Sequence, residues 1–249
     1  MTTKSLDLMR YNFFNNDFEY SLYFQEYFKV VRYIDNNINH LEHDEYTSFF
    51  DAIRSIVPTN KIILDIGANS GLFGVPLSIY GYNVIGFEPV SSNIECLRKA
   101  IESNNINMKI YPYALSNVNE VRDIYVPGSP DNSSLIESVS TSNLMDKSYE
   151  IESVNCVRLD DFLNSEEIDM SMIGHVKIDV QGYELQVIEG MTELLSKSDD
   201  ISLIIEWDMN HSGLESLVKI TNILNNNSIR EIQMPGSGFY GNKIFKKIK

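Results

Sequence analysis

The sequence predicts a doubly wound α/β sheet, and three observations carry that expectation. From Lys61 onward, short apolar runs alternate with helix-length amphipathic stretches, as strands buried on both faces and crossed over by helices would. The first run ends in a glycine-bearing turn, Asp65-Ile-Gly-Ala-Asn-Ser-Gly71, that opens a helix. After an interruption the alternation resumes with the strand-like His175-Val-Lys-Ile-Asp-Val180.

The elements follow in order. Lys61 to Ile66 reads as a buried parallel strand, Gly71 to Tyr80 as a helix and Asn83 to Glu88 as the second strand. Ser91 to Ser103 reads as a helix with Ser91 or Ser92 as its N-cap, because a hydroxyl there accepts a hydrogen bond from an orphan N–H of the first turn. Lys109 to Leu115 is the third strand. Residues 117–160 break the rhythm: Val121 to Val126 and Ile151 to Leu159 have strand character and flank a polar stretch, so an inserted hairpin is expected. Then come strand His175 to Val180, helix Tyr183 to Ser196, strand Ile201 to Trp207 and helix Leu214 to Asn225. Strands Ser228 to Met234 and Asn242 to Ile248, joined by a glycine-rich turn, close the chain.

The first 57 residues differ. They hold 13 of the 27 aromatic residues, and Tyr20, Phe24, Tyr27, Phe28 and Val31 follow helical spacing. A second helix is expected from Asp44 to Ile56. The chain thus divides into a helical extension, 1–57, and a main domain, 58–249. The extension reads as a layer packed on the core or as a lid over a substrate.

Composition narrows the class. At 249 residues with 43% hydrophobic content the chain can bury a sizeable core, and a net charge of −15 disfavours a nucleic-acid partner. Two cysteines, Cys96 and Cys156, lack metal-ligand spacing and suit a reducing compartment. With no signal-like start and no run of about 20 apolar residues, the chain reads as cytoplasmic, without a membrane span.

Three segments carry chemistry. In Asp65 to Gly71, Asn69 stands where the dinucleotide fingerprint has its second glycine, and the last glycine is displaced to Gly71. That spacing suits a turn receiving the amino-acid end of S-adenosylmethionine better than one cradling a pyrophosphate. Glu88, followed by Pro89, closes the second strand, where a carboxylate can accept hydrogen bonds from a ribose diol. Lys177 and Asp179 share one face of their strand by period-two alternation. A charged pair inside a sheet calls for mutual neutralisation, and Asp179 lies toward the carboxyl end, where open α/β sheets bind ligands.

With Tyr113-Ala-Leu-Ser116, Ser133-Ser-Leu135 and Val157-Arg-Leu-Asp-Asp-Phe162 between them, these segments resemble the FkbM family of methyltransferases from about Ile62 to Trp207. The resemblance implies a class I methyltransferase fold, Rossmann-like, with seven strands of which the last is antiparallel, and S-adenosyl-L-methionine as cofactor. It implies that Asp65, Gly67, Ala68, Asn69 and Gly71 shape the methionine pocket and that Glu88 and Pro89 lie at the ribose. It places Ala114, Leu115 and Ser116 near the adenine and Asp179 at the methyl end. Ser134, Glu206, Trp207 and Asp208 are substrate-side candidates. Many relatives have Glu where this chain has Gln181, which removes one carboxylate base.

A hydroxyl acceptor must lose a proton, and His211, just past the fifth strand, is the first candidate base beside Asp179 because histidine exchanges a proton near neutral pH. No dedicated metal site is expected. A Mg²⁺ ion on Asp179, Glu206, Asp208 and His211, lowering the hydroxyl pKa, is the alternative. The acceptor implied by the family is a small molecule or glycan, with a bacterial sugar hydroxyl preferred over an amino-sugar nitrogen. A nicotinamide oxidoreductase on a similar sheet and a non-catalytic binding module are the competing readings.

Overall fold

The computed structural model describes residues 8–13, 16–21, 50, 53–127, 132–140, 149–233 and 241–248. Two strands, β1 (Leu8–Phe13) and β2 (Asn16–Ser21), form an antiparallel hairpin. Next come β3 (Ile62–Ile66), α1 (Gly74–Ile79), β4 (Asn83–Phe87), α2 (Ser91–Ser103) and β5 (Lys109–Tyr111). A small sheet follows, of β6 (Tyr113–Leu115), β7 (Glu120–Pro127) and β8 (Tyr149–Val157), with the short α3 (Glu137–Ser140) between the last two. The chain returns through α4 (Leu159–Ser165) to β9 (Ile173–Ile178), α5 (Glu184–Glu189), α6 (Thr192–Lys197) and β10 (Ser202–Glu206). It ends with α7 (Met209–Asn226), β11 (Ile229–Ile232) and β12 (Asn242–Lys247).

The main sheet has seven strands in the order β11-β12-β10-β9-β3-β4-β5. β12 runs antiparallel to both neighbours, and the pairs from β10 through β5 are parallel. This is the expected class I methyltransferase arrangement. Its central strands bury both faces, which is why they read as nearly unbroken apolar runs. Leu64, Ile66, Val176, Ile178, Leu203 and Ile205 face a core built with α4 to α7, through Phe162, Leu194, Leu217 and Ile220. Ile63, Val84 and Ile204 face a second core, with Phe73, Leu97, Phe50 and Ile53.

Several elements differ from the sequence expectation. The third strand is split: β5 pairs with β4, whereas β6 pairs with β8 in the small sheet. Pro112 stands at the division and has no N–H to donate to a continuous ladder. Neither serine caps α2; Val90 holds the cap position, and Ser91 N–H and Oγ turn to Glu152 Oε2 at 3.1 and 2.8 Å. The helix expected from Tyr183 to Ser196 is two, α5 and α6. Asp160 starts the second by accepting from Glu193 and Leu194 N–H at 2.9 and 3.0 Å, so this acid of the Arg-Leu-Asp-Asp-Phe run does helix-capping work. The helix expected from Leu214 is longer, running from Met209 with its backbone leaving helical geometry at Gly213. In the extension, Tyr20 belongs to a strand, β2, rather than to a helix. Phe24, Tyr27, Phe28 and Val31 lie outside the described residues, and of the Asp44 to Ile56 helix only residues 50 and 53–56 are described, as helical.

Lys243, Lys246 and Lys247 are strand residues with partners. Lys243 pairs with Glu231 at 2.8 Å and Lys246 with Asp200 at 3.1 Å. Lys247 Nζ donates to Leu195 and Ser196 carbonyls at the end of α6, where a cation is favoured. Both cysteines are buried. Among the described residues no helix is long and apolar enough to cross a membrane.

Candidate functional site

The winding of the sheet reverses between β3 and β9: β4 and β5 extend it one way, β10 the other. Connections that depart in opposite directions leave a crevice beyond the carboxyl ends of the strands. β3 and β9 bring Gly67 and Asp179 side by side there, with Asp179 N–H donating to the Ile66 carbonyl at 3.1 Å. At Gly67, φ is +74° and a Cβ would stand 1.9 Å from the Asp179 carbonyl oxygen, so only glycine fits.

The turn is then pinned to β4. Gly67 and Ala68 N–H donate to the Phe87 carbonyl, both at 3.0 Å. Asn69, at φ +51°, donates its N–H to Glu88 Oε2 at 2.8 Å. Glu88 Oε1 accepts from Val90 N–H at 2.9 Å and from the Asn93 side-chain amide at 3.1 Å. Burial pushes the Glu88 carboxyl up to about 7, while these three hydrogen bonds pull it down. A carboxylate offers about four acceptor positions, so one remains for a ligand hydroxyl.

Charge gathers on the other side of the crevice. Lys177 Nζ lies 3.3 Å from Asp179 Oδ2 and 3.7 Å from Asp65 Oδ1, the pairing expected of a charged sheet residue. Asp65 is fully buried; burial raises its carboxyl to about 6 against the pull of Lys177 and of the Gly74 backbone N–H. Gln181 Nε2 donates to Asp179 Oδ1 at 3.0 Å and to Glu206 Oε1 at 3.2 Å, joining the ends of β9 and β10. Burial first, then the neighbouring Asp179 and Glu184 carboxylates, pushes Glu206 up to about 9. His211 Nδ1 sits 3.6 Å from Asp208 Oδ2 and 3.9 Å from Glu206 Oε1.

The sequence profile described as "Methyltransferase FkbM domain" matches residues 65–231, which is more than half of the chain. The chain belongs to the FkbM methyltransferase family. No curated protein matches it. Similar solved structures include a Pyrococcus abyssi tRNA (uracil-54, C5)-methyltransferase in complex with S-adenosyl-L-homocysteine, at 14% identity and TM-score 0.49, covering 97% of this chain and 44% of that one. A T. thermophilus 16S rRNA methyltransferase in complex with AdoMet and guanosine has 10% identity and TM-score 0.49, covering 100% of this chain and 52% of that one. Magnesium protoporphyrin IX methyltransferase from Synechocystis PCC 6803, with bound SAM, has 15% identity and TM-score 0.43, with 86% of each chain covered. This chain thus spans about half the length of the first two.

In this member of the family Gly67, Ala68, Asn69 and Glu88 meet at one rim of the crevice, whereas Asp65 is fully buried beside Lys177 and Gly71 packs on Leu97 and Val75. Asp179, Glu206, Asp208 and His211 meet at the other rim. Ala114 shares a small apolar cluster with Tyr183 and with Val90, the residue that follows Glu88 and Pro89 in the chain. Leu115 turns instead to the main core, and Ser116 is fully buried. Ser134 is also buried; its Oγ donates to the Gln181 carbonyl at 2.7 Å and accepts from Ile136 N–H, so it fastens a loop rather than lining the crevice. Trp207 alternates away from Glu206 and packs on Phe245, ring centroids 5.4 Å apart. Among the described residues no three His, Cys, Asp or Glu side chains are grouped so as to hold a metal ion, Asp179, Glu206, Asp208 and His211 included. His175 is buried with Nδ1 2.8 Å from Ser202 Oγ, and burial lowers its pKa to about 3. His40 and His43 lie outside the described residues.

Sequence reasoning missed Glu184 and Ser212, which meet through a 2.6 Å hydrogen bond although 28 residues apart. Nothing in local periodicity links them; their only signal is adjacency, Glu184 closing the strand-turn run of Asp179 and Ser212 following His211.

Proposed function

We propose that this FkbM protein is an S-adenosylmethionine-dependent O-methyltransferase acting on a sugar hydroxyl of a bacterial glycan or glycosylated metabolite. The observation that carries the reading is the meeting of the glycine turn, Glu88 and Asp179 at the switch point of the sheet. The residues fit the cofactor: the turn from Asp65 to Gly71 opens at the switch point of the sheet, and Glu88 keeps one acceptor position for a ribose hydroxyl. Asp65, Gly67, Ala68, Asn69 and Gly71 would hold the methionine end, Glu88 and Pro89 the ribose, Ala114 the adenine edge, and Asp179 the end from which the methyl leaves.

When bound, the cofactor supplies a sulfonium methyl already activated for in-line displacement. The protein aligns the acceptor oxygen with that methyl, and proximity does most of the work. His211 takes the hydroxyl proton, and the Asp208 carboxylate faces the charge that develops on the imidazole. The same acidic surroundings suit a cationic amino sugar, so transfer to nitrogen is the second reading. The net charge of −15 favours such acceptors over RNA.

Calorimetric titration tests the cofactor. Saturable binding of S-adenosylhomocysteine without response to NAD is the expected result. Binding of NAD alone would replace this reading with a nicotinamide oxidoreductase, which the Asn69 position already disfavours. Turnover indifferent to exhaustive chelation is expected, and loss of turnover restored by Mg²⁺ would move the hydroxyl activation to a metal.

A further inference from the structure

Glu184 is fully buried at the start of α5, and its two oxygens do different things. Oε1 accepts from Val180 and Gly182 N–H, both at 3.1 Å, and so closes the turn that follows Asp179. Oε2 accepts from Ser212 Oγ at 2.6 Å. Two main-chain bonds suffice to shape the turn, so the third spends a desolvated carboxylate oxygen on another segment. That segment carries His211.

The same two segments are pressed together at two further points. Gln181 and Gly182 take successive left-handed conformations, φ +53° and +94°. At Gly182 a Cβ would lie 2.9 Å from the His211 carbonyl oxygen, so the turn closes on the backbone of His211 itself. One residue earlier, the Gln181 amide ties Asp179 to Glu206. Ser212 N–H in turn donates to the Asp208 carbonyl at 2.9 Å, which fixes the bend carrying Asp208 and His211.

We infer that Glu184 and Ser212 are positioning residues: their buried hydrogen bond locks the segment from Glu206 to Ser212 onto the Asp179 turn and so fixes His211 over the methyl end. The inference rests on the proposed reading of Asp179 and His211 for its functional meaning, and on hydrogen-bond geometry for its structural content. Without the bond, the Val180 and Gly182 contacts persist while the His211 segment loses its buried tie to the turn.

The test is histidine modification by diethylpyrocarbonate with peptide mapping, run beside calorimetry with S-adenosylhomocysteine, on the full-length wild type, Ser212→Ala and Ser212→Thr. In Ser212→Ala the modification rate of His211 is expected to rise. His175, fully buried in the sheet, should stay protected, which separates release of one segment from general unfolding. S-adenosylhomocysteine affinity should match the wild type, and Ser212→Thr, which keeps the hydroxyl, should restore slow modification. Unchanged His211 reactivity in Ser212→Ala, or His211 and His175 becoming reactive together, would overturn the inference. If Ser212→Ala does not fold, Ser212→Cys serves: it keeps the volume while replacing the hydroxyl by a weak thiol donor, and the same rise in His211 modification is expected. Absence of S-adenosylhomocysteine binding in every form would strike the cofactor assignment alone, because the modification rates are read in the unliganded protein.

Discussion

The two rims of the crevice are built in opposite ways. The rim from Asp65 to Gly71 is backbone: main-chain N–H groups pin it to Phe87 and Glu88, and its shape depends on Gly67 having no side chain. The rim from Asp179 to Ser212 is side chain: a lysine, a glutamine, four acids, a histidine and a serine, drawn from two strand ends and the helices that follow them, hold one another in place. A backbone rim recognises a ligand common to many enzymes and tolerates little change. A side-chain rim can be re-dressed for a new acceptor without disturbing the first, which is how one fold serves different substrates.

Gly67→Ala should break the contrast most severely. The left-handed backbone alone costs about 1–2 kcal/mol for a residue with a Cβ, and the approach to the Asp179 carbonyl adds a clash that neither strand can relieve. Denaturant titration is expected to show marked destabilisation together with loss of S-adenosylhomocysteine binding. A fully stable, ligand-binding Gly67→Ala would mean that the turn is not built as described.

His211→Ala probes the other rim alone. It should leave S-adenosylhomocysteine affinity intact and lower kcat by about 10²–10⁴; an unchanged kcat would remove His211 as the base. Glu88→Ala should do the reverse. Binding of S-adenosylhomocysteine is expected to weaken by about 1–3 kcal/mol, the scale for losing hydrogen bonds to a charged group. Undiminished affinity by calorimetry would take Glu88 out of the ribose site.

The smallest effect is a slope. Asp65, Glu88 and Glu206 have ordinary values of 3.8, 4.5 and 4.5, raised in the fold to about 6, 7 and 9 by burial before any other cause. The folded state therefore binds more protons than the unfolded one between those limits. Their contribution is fully present below about pH 4 and is lost as pH rises through the folded values. Each group adds at most about 1.4 kcal/mol per pH unit to the decline. Chemical denaturation from pH 5 to 9 should show Glu206→Gln flattening the curve over the whole range and Glu88→Gln flattening it only below about pH 7. Identical slopes in both variants would deny that the rims titrate separately.

The same division decides what could be read from the amino-acid order. The backbone rim was legible: a glycine spacing and an acid closing the next strand are local signals, and the structure places Gly67, Asn69 and Glu88 together. The seven-stranded sheet was legible because apolar runs mark buried strands wherever they pair. Half of the second rim was legible through topology, since Asp179 and Glu206 end adjacent parallel strands and His211 follows closely. The bond from Glu184 to Ser212 was not, because it depends on how a turn and a helix start meet in space. Ser134 and Trp207 look like substrate residues in a list of polar and aromatic positions beside the motifs. Strand alternation turns Trp207 to the core, and a main-chain carbonyl claims the Ser134 hydroxyl. The split at Pro112 belongs to the same class, a residue whose missing N–H matters only once its neighbours are known.

The central claim is that a nucleoside bearing a methionine sulfur lies across the two rims. A crystal structure of the complex with S-adenosylhomocysteine tests it most directly. Expected are the ribose against Glu88, the amino-acid end over Gly67, and the sulfur facing Asp179 with His211 on its open side. A well-ordered nucleoside bound elsewhere on the sheet, with the crevice between Gly67 and Asp179 closed to it, would contradict the claim.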